Sequence, residues 1–355
     1  MNTKGKWPGL VLAALLGSGA ASAHHSAAPH FDLSTSLQIT GTVTAFRFVN
    51  PHSYVYLDVA GADGHTAGWR CELPSRTALE RRGWTVALFP VGRKVRIEGS
   101  PARREAQVCY TERITTEAGR AIGREADLAH GVNPLASGQA GPAASERSAR
   151  DAWGHPNLAG LWVAHGRPFR LPPGALLGAP QPTAAGVKAA RDYDPRFDDP
   201  AMQCSPANIL FGWTHDQNVN QITQARDAIT LRYGYMDAVR VIHLDAVAHP
   251  PTPARSVAGH SIGRWEGEVL VVDTVGFQAG VLVPMRGLMH SEQLHVIERF
   301  SVDLKAGTLK REYSVDDALY LQHPYQGSDV LQVSDEPYRD FGCVELSGKN
   351  NLRTL

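Results

Sequence analysis

The chain is short of cysteine, of excess charge and of long apolar runs, and each shortage excludes something. It has four cysteines, Cys71, Cys109, Cys204 and Cys343, with no C-x-x-C spacing, so neither a zinc cluster nor a dithiol redox site is indicated. Lys plus Arg and Asp plus Glu are 35 each, so net charge is zero before histidine. That balance lacks the basic footprint of a nucleic-acid binder and gives no steering toward anionic membranes. Beyond the first residues no apolar stretch approaches the ~20 residues of a membrane-spanning helix. There is no G-x-S-x-G elbow, glycine-rich phosphate loop, H-E-x-x-H pair or internal repeat.

What is present begins with an export signal. Lys4 and Lys6 precede the apolar run Leu10 to Leu16, and small residues lead to Ala21-Ser22-Ala23. A basic head, a short apolar centre and an A-x-A site read as a signal peptide over 1–23, which implies a periplasmic or secreted protein. No cysteine stands at the cleavage site to take a lipid anchor. An even cysteine count in an exported chain implies disulfides. About 330 residues then remain, more than one hydrophobic core usually serves, and two domains are expected.

The stretch 126–153, rich in Ala, Gly, Ser and Pro, reads as the linker between a domain at 24–125 and one at 154–355. The first has strands over 37–49, 53–59, 67–73, 92–99 and 106–115, with a helix over 75–82 capped by Ser75 and stopped at Gly83. Three strands, a helix and two strands is the order of an OB-type small barrel. The second opens on Gly160-Leu161-Trp162, has one short helix near 183–193, and continues as strands near 217–224, 226–233, 236–245, 258–265, 268–275, 292–302 and 308–315. Successive short strands without intervening helices imply a mainly β chain ending in an antiparallel barrel or sandwich, lipocalin-like at its G-x-W entry. This boundary pairs Cys71 with Cys109 and Cys204 with Cys343, each within one unit.

Two sets of motifs carry a resemblance. Ala23-His24-His25-Ser26, Gly41-Thr42-Val43 and Asn50-Pro51-His52-Ser53 resemble an uncharacterised exported bacterial domain family. Gly259 to Gly267 (GHSIGRWEG), Leu270 to Thr274 (LVVDT), His290-Ser291-Glu292 and Glu298-Arg299-Phe300 resemble a second one. The resemblance implies kinship and no activity.

Strand periodicity supplies the candidate residues. A turn at Glu266-Gly267 sets His260 opposite Asp273, a carboxylate beside an imidazole as a general base requires. Ser261 points to the other face and makes no nucleophile with His260. Glu298 falls among Leu294, Val296, Phe300 and Val302 on an apolar face, where a carboxylate needs a partner. Arg240, on the face of Met236, Ala238, Ile242 and Leu244, supplies one. These four groups are expected in or at the mouth of one cavity.

A separate set lies at the mature N-terminus. Cleavage after Ala23 gives His24 a free α-amine beside its imidazole, with His25, His30 and His52 near in sequence. Amine and imidazole nitrogens suit Cu(II), and the arrangement resembles the first residue of a histidine brace. The sequence therefore carries three readings: a barrel that binds a small, partly apolar molecule and moves protons on it, a periplasmic copper protein, or a structural envelope protein without ligand. In the first, the N-terminal domain is an accessory or interaction module.

The copper reading makes a direct prediction. Protein beginning at His24 should bind Cu(II) more tightly than protein carrying one extra N-terminal residue, which moves the α-amine away. Equal affinities by calorimetry would remove the brace.

Overall fold

The computed structural model describes residues 27, 30–128, 147–164, 180–194, 198–215, 218–284 and 287–344. The first barrel comprises β1 (Leu37–Arg47), β2 (Ser53–Ala60), β3 (Thr66–Leu73), α1 (Arg76–Arg81), β4 (Lys94–Pro101), β5 (Val108–Thr116) and β6 (Ala121–Gly123). Its sheet runs β3-β2-β1-β4-β5-β6, and a parallel β3–β5 pairing closes it into the OB-type order expected from the sequence. The closure sets Cys71 opposite Cys109, and these two form a disulfide across it. α1 is capped as the sequence predicts: the Ser75 hydroxyl accepts from the Ala78 N–H at 3.2 Å, and Gly83 follows with φ +74°. Val43, Val55, Leu57, Leu79, Trp84, Ile97 and Ile114 fill the interior.

Gly99 marks the one place where β4 and β5 slip register, between Glu98 and Gly99. A Cβ there would lie 1.8 Å from the Tyr110 carbonyl oxygen, so only glycine lets the backbones approach this closely.

The second barrel is made of β7 (Gly160–Ala164), β8 (Asn220–Gln224), β9 (Ala228–Arg232), β10 (Val239–His243), β11 (His260–Glu266), β12 (Val269–Val275), β15 (His295–Asp303), β16 (Thr308–Asp316) and β17 (Tyr325–Val333). β17 pairs with β7, so the sheet closes as a barrel and not a sandwich. The wall departs from a plain up-and-down order at one point: β10 and β11 run parallel, with Ile242 opposite Ser261. The reason is the long proline-bearing connection of 244–259, which carries the chain back before β11 starts. β17 was not legible in the sequence, nor was the outlying hairpin β13 (Gly280–Val283) with β14 (Leu288–His290). Two helices, α2 (Ala184–Asp192) and α3 (Phe211–Thr214), complete this region. Ile209, Leu210 and Trp213 pack with Trp162, Ile242, Val272, Val296 and Phe300 in the barrel core.

Cys204 and Cys343 form the second disulfide, as expected. It anchors the chain after β17 beside the first barrel. Asn50 is fully buried there; its Nδ2 donates to Thr77 Oγ1 at 3.1 Å and to the Phe341 carbonyl at 2.6 Å, and its own carbonyl accepts from the Val344 N–H at 2.9 Å. One asparagine thus ties α1 to the C-terminal segment.

Gly99→Ala should destabilise the protein by about 1–3 kcal/mol, the usual cost of forcing atoms into a packed region. Equilibrium unfolding in denaturant checks this, and an unchanged midpoint would contradict the close approach of β4 and β5.

Candidate functional site

The period of two along the second barrel decides which groups face in. On β15, Val296, Glu298 and Phe300 are buried while His295, Ile297 and Arg299 alternate outward. On β10 the inward residues are Arg240 and Ile242, on β11 Ser261, on β12 Thr274. The inward polar groups form one connected layer. Arg240 Nε donates to Ser261 Oγ at 2.9 Å, its Nη2 donates to Thr274 Oγ1 at 2.7 Å and to Glu298 Oε2. Arg311 Nη1 donates to the other Glu298 oxygen at 3.3 Å, and Arg311 pairs in turn with Asp329. Arg311 also donates to the carbonyls of Ile209 and Leu210, each at 3.2 Å.

Each of β10, β11, β12, β15, β16 and β17 therefore contributes one residue to a continuous polar belt inside the barrel. Burial pushes the Glu298 carboxyl upward, but the Arg240 and Arg311 guanidiniums outweigh it and hold it below the ordinary carboxylate range. Glu298 is 0% and Arg240 2% exposed, so this pair faces packed side chains. Arg240 Nη1 and the Tyr233 hydroxyl are buried without a short hydrogen bond among the described residues, and interact with each other instead.

His260 and Asp273 lie outside the wall. The expected single cavity holding all four groups is therefore corrected: the barrel wall separates the two pairs. The register is corrected too. Gly267 and Glu268 form the turn, so Glu266 faces Val269, His260 faces Val275, and Asp273 faces Ile262. The physical reason is Gly267, whose φ of +60° fills the first central position of a tight hairpin, a conformation that Glu266 would adopt only with strain. The shift is even, so His260 and Asp273 still share a face, but as diagonal neighbours, about 7–8 Å apart on the backbone. That gap is too wide for a direct hydrogen bond and wide enough for a ring.

His249, from the connection between β10 and β11, fills it. Its Nδ1 lies 2.8 Å from His260 Nδ1 and its Nε2 lies 3.1 Å from Asp273 Oδ1. His295, at the start of β15, brings its Nε2 to 2.9 Å from the same oxygen. His243 stacks on His260 at 5.2 Å between centroids. Sequence reasoning missed His249, His295 and His243. The outward parity of β15 could have found His295, but no local pattern in the loop marks His249.

The tautomers follow from the partners. An ionised Asp273 only accepts, so His249 and His295 each donate from Nε2. A neutral His249 then accepts at Nδ1, and His260 donates to it from Nδ1. His260 Nε2 is left bare, with no hydrogen-bond partner among the described residues. Burial, then the neighbouring His249 and His243, push the His260 imidazole below its ordinary range, which keeps it neutral with its Nε2 lone pair free at neutral pH. The cluster is open to solvent, the His249, Asp273 and His295 side chains being 18%, 28% and 41% exposed.

Of the four N-terminal histidines, two are among the described residues. His24 and His25 lie outside the described residues. His30 sits in the turn before β1, and His52 Nδ1 lies 3.4 Å from Glu72 Oε1. Among the described residues no group of three or more His, Cys, Asp or Glu side chains is arranged to hold a metal ion. On the barrel wall the reason is visible: both His249 nitrogens are directed at hydrogen-bond partners and do not converge on a common point.

Fold and site together define a mainly β protein of two barrels, the second with a histidine–aspartate chain on its outer wall. Residues 13–109 match the model of a family of unknown function (DUF6152). No curated protein matches the chain, and no solved structure does.

The belt yields a stability prediction. Glu298→Gln keeps the shape but removes the charge between two buried guanidiniums, and should cost about 3–5 kcal/mol. A loss under about 1 kcal/mol in denaturant unfolding, the scale of an exposed pair, would mean that the belt is hydrated.

Proposed function

We propose that this is an exported protein whose second barrel binds a small, partly apolar molecule at its outer wall and transfers a proton with it, His260 being the general base. The observation that carries this reading is the unbroken chain His260–His249–Asp273–His295. When His260 Nε2 takes a proton from a bound molecule, its Nδ1 proton moves to His249 Nδ1. The His249 Nε2 proton then moves toward Asp273, which His295 also contacts. The positive charge is thus spread along the chain toward the Asp273 carboxylate and solvent, without burying a charge. Ile262 and Ile297, part-exposed on the same face, supply the apolar contact. The two disulfides favour an oxidising compartment outside the cytoplasm, in accord with the signal-like N-terminus.

The copper reading retains only its sequence support, because half of its four ligands lie outside the described residues. The belt is a structural ion-pair set and plays no part in the proposed chemistry.

A generic proton-abstraction probe tests the proposal without knowledge of the natural substrate. 5-Nitrobenzisoxazole, small and partly apolar, opens on loss of one proton. Wild-type protein should accelerate its opening, and His260→Ala should lower that rate by about 100-fold or more, the scale of general-base catalysis. Asp273→Asn should lower it by about tenfold, since the chain is then no longer anchored by a carboxylate. The base is active only when neutral, and its titration is depressed. Activity should thus persist as pH falls below about 6.5, the ordinary histidine value, and be lost on titrating through the lower one. Equal rates in wild type and His260→Ala would overturn the assignment.

A further inference from the structure

A second neutral histidine stands apart from this chain. His290 ends β14 and is 2% exposed. Its Nδ1 lies 3.1 Å from the Ser291 carbonyl oxygen, which only accepts, so Nδ1 carries the proton and Nε2 the lone pair. The carbonyl is held in place because Ser291 is clamped by buried Asp317: its N–H donates at 2.6 Å and its hydroxyl at 2.7 Å. Nε2 has no hydrogen-bond partner among the described residues. Burial, outweighing the Ser291 contact and the Asp317 charge, pushes the imidazole below its ordinary range, so it is neutral at neutral pH.

His290 borders a cavity of about 350 Å³ between the β13–β14 hairpin and the C-terminal end of α2, lined also by Tyr193, Asp198, Gly280, Val281 and Met289 among others. Gly280 leaves room beside the imidazole: a Cβ there would stand 3.2 Å from Nε2. Tyr193 also lines it, with its hydroxyl buried away from the opening and without a hydrogen-bond partner among the described residues. The cavity thus offers one bare acceptor on a mixed wall that includes valine, alanine and methionine. Unpaired polar groups in an otherwise packed region are costly unless a guest satisfies them. The carboxylates along the wall disfavour an anion, and the bare imidazole nitrogen calls for a hydrogen-bond donor.

We propose that this cavity is a binding site for a small uncharged alcohol with an apolar body, whose hydroxyl donates its hydrogen to His290 Nε2. Phe277 stands between this site and the outer-wall chain, against His290 on one side and against Gly259, which precedes His260, on the other.

Titration of ¹⁵N-histidine-labelled protein with benzyl alcohol tests it, with toluene as the analogue lacking a hydroxyl. Benzyl alcohol should move the His290 Nε2 resonance saturably and leave that of His260 in place, and toluene should bind at least about tenfold more weakly. Gly280→Ala, which fills the space beside Nε2 without removing it, should weaken benzyl alcohol by at least about tenfold at an unchanged melting temperature. No saturable shift at His290 in wild type, a shift at His260 instead, or undiminished binding in Gly280→Ala would overturn the proposal.

Discussion

Glu298 lies at the centre of the second barrel with no water contact, held between the guanidiniums of Arg240 and Arg311. A lone carboxylate in that position would protonate or unfold its surroundings. The two arginines and Asp329 turn it into a neutral set of four charges, and Ser261, Thr274 and two backbone carbonyls take up further hydrogen bonds. Because each participant comes from a different strand, a one-residue slip anywhere would place a charge in solvent and strand its partner inside. The belt therefore serves register more than net stability, since apolar residues of the same volume would serve stability about as well.

That constraint has a consequence for where chemistry takes place. A barrel filled by an ion-pair belt, Trp162, Trp213 and Phe300 has its inner polar groups committed to one another. Groups free to act must come from the outer wall or from the connections. The parallel β10–β11 step supplies one such connection, and His249 rides on it to the diagonal gap between His260 and Asp273. The outlying hairpin supplies the other, placing His290 over the cavity near α2.

Much of this was legible from residue order because period-two alternation is a strong signal. The alternation on β15 put Glu298 inside, that on β10 put Arg240 with it, and the OB-type order of the first domain followed from strand, helix and turn signals. The failures have two physical origins. A turn shifted by one residue moved the His260 partner from Asp273 to Val275, since periodicity fixes which face a residue occupies but not its partner along the strand. Long-range placement was the second. His249 sits in an aperiodic loop, and its position between two strands depends on where 244–259 crosses the wall, which no local pattern encodes. For the same reason Arg240 and Glu298 were grouped with His260 and Asp273: nothing local says which face of a sheet becomes the inside of a barrel.

The two histidines differ in what stands behind the bare nitrogen, and that difference separates their chemistry. Both are kept neutral chiefly by burial, and in both the Nδ1 proton is committed, so Nε2 is the working atom. Behind His290 stands a backbone carbonyl, which accepts a hydrogen bond but takes no proton at ordinary pH. An added proton would therefore stay on a buried ring, where charge is disfavoured. His290 is suited to accept a hydrogen bond and to hold it. Behind His260 stands another imidazole and then a carboxylate, each of which takes a proton in turn. A proton arriving at His260 Nε2 is passed on as the charge spreads toward Asp273 and solvent. The same side chain in the same protonation state is thus a binding group at one place and a proton carrier at the other, and the second partner decides which.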